Sequence, residues 1–297
     1  MRGLLETIAF NGAVYYEKNG QIKQYFHGYQ ELEKKHLINK NTQFNLASLS
    51  KMFTAVMTFQ LIEKGQLQLE DKITCWFNVP YFTEVTVAEL LTHTSGIPEY
   101  ITDDLTISVE TFIEGVLPQN TSNEHWSYSN TNYVLLAKII EKVSGLSYET
   151  YLQQYIAEPL NLAHMTTQPI KQSVAQGQTF NYEKQQYKNV LDDPYLHEIE
   201  KYNDQYGDGG IYATVAEVAK FLKAFWQGQY ISKEIVQFML TPTEVTNNYS
   251  YGFIIQNEWV GHTGGWLGCS AQAFINISTG EVIVLATNQE VFPQYEQ

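Results

Sequence analysis

NLASLSKMFTA, residues 45–55, opens an apolar run with Ser48 and places Lys51 three positions later. Met52, Phe53, Ala55, Val56, Phe59, Leu61 and Ile62 continue the run and Gly65 follows it. The pattern predicts a buried helix from about Ser48 to Lys64, closed by the glycine. A lysine in the first turn of such a helix is disfavoured twice, by the positive end of the helix dipole and by the nearby core. Residues i and i+3 share a helix face, so the Ser48 hydroxyl can reach the Lys51 amine. Partial desolvation lowers a lysine pKa and lets the amine accept a proton. The costly placement therefore has a chemical use. S-x-x-K alone carries little weight, because a chain of this length contains about one by chance.

Two further elements supply chemistry of the same kind. SYSNTNY, residues 127–133, presents Tyr128 and Asn130 just before an apolar helix. A phenol can relay a proton, and an amide can orient a bound carbonyl or amide. Read alone, the segment is an N-cap cluster in which Ser129 or Asn130 caps the helix and Tyr128 packs. HTGGWLG, residues 262–268, puts His262, Thr263, Gly264 and Gly265 in a late strand. Glycines there allow close approach of a ligand backbone, or mark a bulge.

Composition bounds the alternatives. The chain has 297 residues, 44% hydrophobic and 17% charged, with a net charge of −14. That is a globular mix, and the scattered basic residues exclude a nucleic-acid partner, which needs a dense cationic surface. Cys75 and Cys269 are far apart and outside any C-x-x-C pair, so they read as free thiols. The seven histidines show no metal-ligand spacing, and neither a metal nor another cofactor is expected. No stretch approaches the ~20 apolar residues of a membrane span, and MRGLLETIAF lacks a signal-peptide core. As written the chain reads as cytoplasmic. A chain begun downstream of its natural start would look the same and would fit the cell envelope.

Strand patterns lie at both ends. GAVYYEKNGQIKQYFHGYQ, residues 12–30, alternates around a KNGQ turn, and residues 251–289 read as strands joined by turns, STGE among them. TVAEVAKFLKAFWQGQ, residues 214–229, is an amphipathic helix with Thr214 as N-cap and Gly228 as stop. The expected fold class is α+β: an antiparallel sheet flanked by helices. Residues 1–63 and 207–297 are expected to form a split α/β domain and 64–206 a mainly helical subdomain, with the active site in the cleft between them.

S-x-x-K, then Y-S-N, then H-T-G, in this order, resemble the serine β-lactamase and penicillin-binding-protein superfamily, in particular class C β-lactamases and their related esterases and D-aminopeptidases. VTVAELLTHTSGIPEY, LQQYIAEPLNLAHMTT and YGDGGIYATVAEVAKFL fit the same pattern, so the likeness runs from about Phe10 to Asn288. It implies the β-lactamase/transpeptidase-like fold and a serine hydrolase working through an acyl-enzyme at Ser48. Lys51 and Tyr128 would handle its proton, with Tyr128 as the base for deacylation. The backbone N–H groups of Ser48 and Gly265 would hold the oxyanion. Asn130, Thr263, Gly264 and Gly265 would line the substrate site, and His262 would feed the proton network. Substrates would be small molecules or peptides: esters, amides, D-amino-acid compounds or poorly turned-over β-lactams. The oligomeric state is open.

Two departures matter. His262 stands where penicillin-recognising members carry lysine, and a lysine there is expected to improve acylation by a carboxylate-bearing β-lactam. The chain also stops soon after its last strand. The competing reading from another class is a catalytically idle module that recognises cell-wall peptides. His93 and Ser95 read as a loop-stabilising hydrogen-bond cluster, and Asp208 as part of a turn.

Overall fold

The computed structural model describes residues 10–33, 35–100, 107–116, 125–202, 205–242, 245–246 and 248–289, leaving aside the side chain of residue 202. Segments 1–9 and 290–297, which carry the expectations about the two ends, lie outside the described residues.

The first hairpin joins β1 (Gly12–Lys18) and β2 (Gln21–His27). Its turn residues Asn19 and Gly20 both have positive φ, 51° and 74°, the conformation whose twist matches paired strands. β3 (Phe44–Asn45) runs through a 3-10 turn at Ala47–Leu49 into α1 (Ser50–Glu63). Every α1 side chain from Ser50 to Leu61 is buried. A helix apolar on all sides belongs at the centre of a protein, and α1 stands there.

A helical stretch follows: α2 (Val87–Thr92), α3 (Val109–Gly115), α4 (Asn130–Ser144) and α5 (Tyr148–Leu152). The hairpin of β4 (Gln178–Asn181) and β5 (Gln186–Asn189) leads to α6 (Pro194–Tyr202). β6 (Tyr212–Ala213) pairs with β3. Then come α7 (Val215–Trp226) and α8 (Lys233–Met239). The chain closes with β7 (Tyr249–Ser250), β8 (Phe253–Gln256), β9 (Trp259–Trp266), β10 (Cys269–Asn276) and β11 (Val282–Thr287).

Seven strands form one antiparallel sheet in the order β2-β1-β11-β10-β9-β8-β7, so the two ends of the chain meet in it. Gly12 faces Thr287 where β1 joins β11. α7 packs on β1, β10 and β11. Its start is fixed by a capping box, in which the Thr214 hydroxyl accepts from Glu217 N–H and the Glu217 carboxylate accepts from Thr214 N–H. Thr214 is thus the cap its sequence predicts. Phe53 of α1 stacks on Phe221 of α7 at 3.8 Å, and Phe225 stacks on Phe253 of β8 at 4.5 Å. The first pair locks the central helix to the helix that covers the sheet and the second locks that helix to β8, each adding about 1 kcal/mol beyond area burial. α4 packs on both α1 and α2, while the turn before α1 lies against β9 and β10.

The architecture is α+β, an antiparallel sheet flanked by helices, as the strand and helix patterns imply. Cys75 is exposed, Cys269 is buried, and both are free thiols. Among the described residues no helix is long and apolar enough to cross a membrane.

Candidate active site

Four segments converge at the start of α1. Ala47 holds a left-handed φ of 46°, which costs a non-glycine residue about 1–2 kcal/mol. Its N–H donates to Asn45 Oδ1 at 2.8 Å, which secures the turn. Ser48 follows, half-buried, and Lys51 lies one turn further with 0% exposure.

The Lys51 ammonium has three donors and three acceptors around it. Nζ lies 3.1 Å from Ser48 Oγ, 2.6 Å from Asn130 Oδ1 and 2.8 Å from the Asp208 carbonyl oxygen. Asn130 Oδ1 and the carbonyl can only accept. A neutral amine keeps two N–H donors for them, and its lone pair is left for the serine. Burial pulls the Lys51 pKa down to about 8, against the opposing charges of Asp208 and Glu99. Tyr128 hydrogen-bonds to Ser48 as well. The ring keeps 36% exposure, while burial of its phenol pushes the pKa well above the ordinary value, helped by Tyr249. The Lys51 charge lies 4.9 Å from the centre of that ring.

Asn130 owes its orientation to Glu99. Asn130 N–H and Nδ2–H both donate to Glu99 Oε2, at 3.0 and 2.9 Å. A carboxylate at a helix N-terminus is favourable, so Glu99 caps α4. Ser129 holds the N-cap position, one of the two the sequence offers, but its hydroxyl donates to the Pro98 carbonyl and makes no capping bond. With Nδ2 held by Glu99, Oδ1 is turned to Lys51.

β9 forms the opposite wall. A Cβ added at Gly264 would lie 2.5 Å from Leu46 O and 2.8 Å from Ser48 N, so this strand touches the backbone of the serine turn. At Gly265 an added Cβ would meet only Cys269 O, at 3.9 Å, on the strand face opposite to the one Gly264 turns to the serine. Strand alternation puts the exposed Thr263 side chain on the face away from His262. His262 is 2% exposed and occupied at both nitrogens, by the Thr263 carbonyl oxygen at 2.5 Å and the Tyr249 hydroxyl at 3.4 Å. Burial, aided by the Lys51 charge, lowers its pKa to about 3.

Ser48, Lys51, Tyr128 and Asn130 are therefore directly joined and Gly264 backs them. His262 sits behind Tyr128, ring centres 6.4 Å apart. A lysine at position 262 would bring a second cation into the dry region that Lys51 already charges. The expected gain in β-lactam acylation from that exchange is replaced by an expected loss. The sequence does not single out Glu99 or Tyr249, and it reads Asp208 only as part of a turn. For Asp208 the flanking Gly207, Gly209 and Gly210 were the available signal.

This frame, with a lysine bonded to a serine at its centre, defines a class: serine hydrolases on the β-lactamase and penicillin-binding fold. The chain belongs to the Beta-lactamase family, whose model matches residues 1–297. It is similar to penicillin-binding protein 4* of Bacillus subtilis, 33% identical over all of this chain and 73% of that protein. It is also similar to the teichoic acid D-alanine hydrolase of Staphylococcus aureus, 26% identical over 96% of this chain and 72% of that one. Among solved structures, a penicillin-binding protein from Bacillus halodurans superimposes with a TM-score of 0.85 at 22% identity, over 98% of this chain and 95% of that one.

Proposed function

We propose that this protein hydrolyses esters or amides of small amino acids, D-alanyl compounds foremost, through an acyl-enzyme at Ser48. The site lies in the cleft between the split α/β unit, 1–63 and 207–297, and the helical unit, 64–206. One observation carries the reading: a fully buried lysine whose two obligate acceptors leave its lone pair to Ser48.

Neutral Lys51 takes the Ser48 proton as Oγ attacks the acyl carbon. The backbone N–H groups of Ser48 and Gly265 hold the oxyanion. Tyr128 acts as a phenol that passes the proton from Lys51 to the leaving group, because its raised pKa disfavours the phenolate. The same argument moves the base for deacylation from Tyr128 to Lys51. Attack by water then releases the acyl group.

The charges support the substrate class. Glu99 and Asp208 are the acidic groups whose fields reach Lys51, and His262 is neutral across the working pH range. Such a site favours an acyl group bearing a free ammonium over one bearing a carboxylate. The relative named as a teichoic acid D-alanine hydrolase fits that chemistry.

The pH dependence follows from Lys51. Only its neutral form is a base, so kcat/KM should rise about tenfold per pH unit below pH 8 and level off above it. A limb near pH 6.5 instead would move the base to an imidazole.

Turnover should be assayed with D- and L-alanine methyl esters, D-alanine amide, D-Ala-D-Ala peptides and nitrocefin, with Ser48→Ala as blank. Quenched reactions should show an acyl adduct on the peptide containing Ser48. Peptide binding without adduct or turnover would leave the idle module as the better reading.

A further inference from the structure

His93 occupies the left-handed C-cap of α2, with 0% exposure. Its proton can be placed from its neighbours. The Ser129 N–H can only donate, and it points at His93 Nδ1 from 3.2 Å. Asn132 Nδ2 points at the same nitrogen from 3.3 Å. Its amide is fixed because Asn132 Oδ1 accepts from the Ser95 hydroxyl at 2.7 Å. Nδ1 is therefore the bare acceptor, and the proton sits on Nε2, which donates to the Tyr249 hydroxyl at 3.2 Å.

The far end is fixed in the same way. The Thr263 carbonyl can only accept, so His262 carries its proton on Nδ1 and leaves Nε2 bare. Tyr249 receives one hydrogen bond from His93 and gives its own proton to His262 Nε2 at 3.4 Å. The Tyr249 proton has a second acceptor, the Tyr133 hydroxyl at 3.5 Å, which itself donates to the Leu91 carbonyl; the bare imidazole nitrogen of His262 is the nearer and more basic of the two and takes the proton. A single direction thus runs from the Ser129 N–H through His93, Tyr249 and His262 to the Thr263 carbonyl.

The run spans the site from the segment that carries Tyr128 and Asn130 to the strand that backs Ser48. Tyr128 lies directly on it. Its ring stacks on His93 with centres 4.3 Å apart and planes tilted by 32°, and meets Tyr249 edge-on at 6.4 Å.

We infer that His93, Tyr249 and His262 form one directed chain of hydrogen bonds that positions Tyr128 against Ser48, acting as positioning residues for the proposed hydrolysis. The chain also keeps both imidazoles neutral beside Lys51. Each ring nitrogen that lacks a proton is filled by a donor, so neither ring can gain a proton without breaking a bond. The role of Tyr128 in this inference rests on the hydrolase reading, whereas the chain itself does not.

Tyr249→Phe removes one hydroxyl and its contacts to His93, His262 and Tyr133 while keeping the ring that packs against Tyr128. Its kcat for p-nitrophenyl acetate should fall about tenfold, with KM within about twofold. Nitrogen-15 NMR of the imidazoles should find opposite neutral tautomers in the parent protein, Nε2–H for His93 and Nδ1–H for His262. In Tyr249→Phe the His93 Nε2 and His262 Nε2 signals should both shift. Identical tautomers, or a charged ring at pH 7, would remove the chain. Opposite tautomers with an unchanged kcat in Tyr249→Phe would leave a purely structural chain and overturn the positioning role. If the parent protein shows no turnover at all, the hydrolase reading fails, and the tautomer measurement still decides whether the chain exists.

Discussion

A Lys51→Met protein is expected to fold and to lose about 10³- to 10⁴-fold in kcat/KM, the scale for removing a general base that also returns the proton. Methionine keeps most of the length and volume of the side chain and supplies no basic nitrogen. Two energetic terms nearly cancel at neutral pH. Asn130 Oδ1 and the Asp208 carbonyl lose their donor, at about 1–3 kcal/mol each. Against this, the parent protein holds an ammonium whose pKa is about 8 instead of 10.5, a penalty of about 3 kcal/mol. The folded protein binds that proton more weakly than the unfolded chain does. The penalty is therefore fully present below pH 8 and disappears as the pH rises to about 10.5. Melting temperatures of the two proteins should lie within a few degrees at pH 7, and the parent should draw ahead by pH 10.5. Kinetics within tenfold of the parent would remove Lys51 from the chemistry. A stability gap that did not change with pH would show that the lysine is not strained by burial.

Gly264→Ala should cost about 100-fold in kcat/KM, the usual penalty for moving a reacting group by about 1 Å. The added Cβ would meet Leu46 O at 2.5 Å, Ser48 N at 2.8 Å and Leu49 N at 3.1 Å. All three are backbone atoms of the serine turn, so no flexible side chain can yield and the strand or the turn must move. Overpacking of this kind also lowers stability by about 1–3 kcal/mol. Gly265→Ala is the control, since its Cβ meets only Cys269 O at 3.9 Å, and its melting temperature should match the parent. Rates of Ser48 acylation and melting curves for both variants separate the cases. Equal activity in the two would mean that the contact between β9 and the turn does not hold Ser48 in place.

The parts of the site that could be read in advance share one property: their geometry is local. Ser48 and Lys51 meet because a turn and a helix put positions three apart on one face. The Thr214 cap, the Asn19-Gly20 hairpin and the strand character of both chain ends follow from short-range preferences in the same way. Glu99 could not be found like this. A glutamate in a loop is an ordinary surface residue until α4 brings its N-terminus to it. His93 looked like part of a loop cluster, and its bonds to Ser129 and Asn132 agree with that. Its stack under Tyr128 and its link to β7 appear only once distant segments are packed together.

The pattern of apolar and polar residues, with the turn and cap residues between them, was enough to mark the strands at both ends of the chain, the helices after Ser48 and Thr214, and which hydroxyl faces which amine; the β4–β5 hairpin inside the mainly helical stretch was not marked. The lowered pKa of Lys51, the orientation of the Asn130 amide and the tautomers of the two histidines came from packing. Each depends on lost water and on partners far along the chain, such as the Asp208 carbonyl, 157 positions from Lys51. Desolvation and through-space fields act over ångströms in the folded molecule, and no short window of sequence contains them.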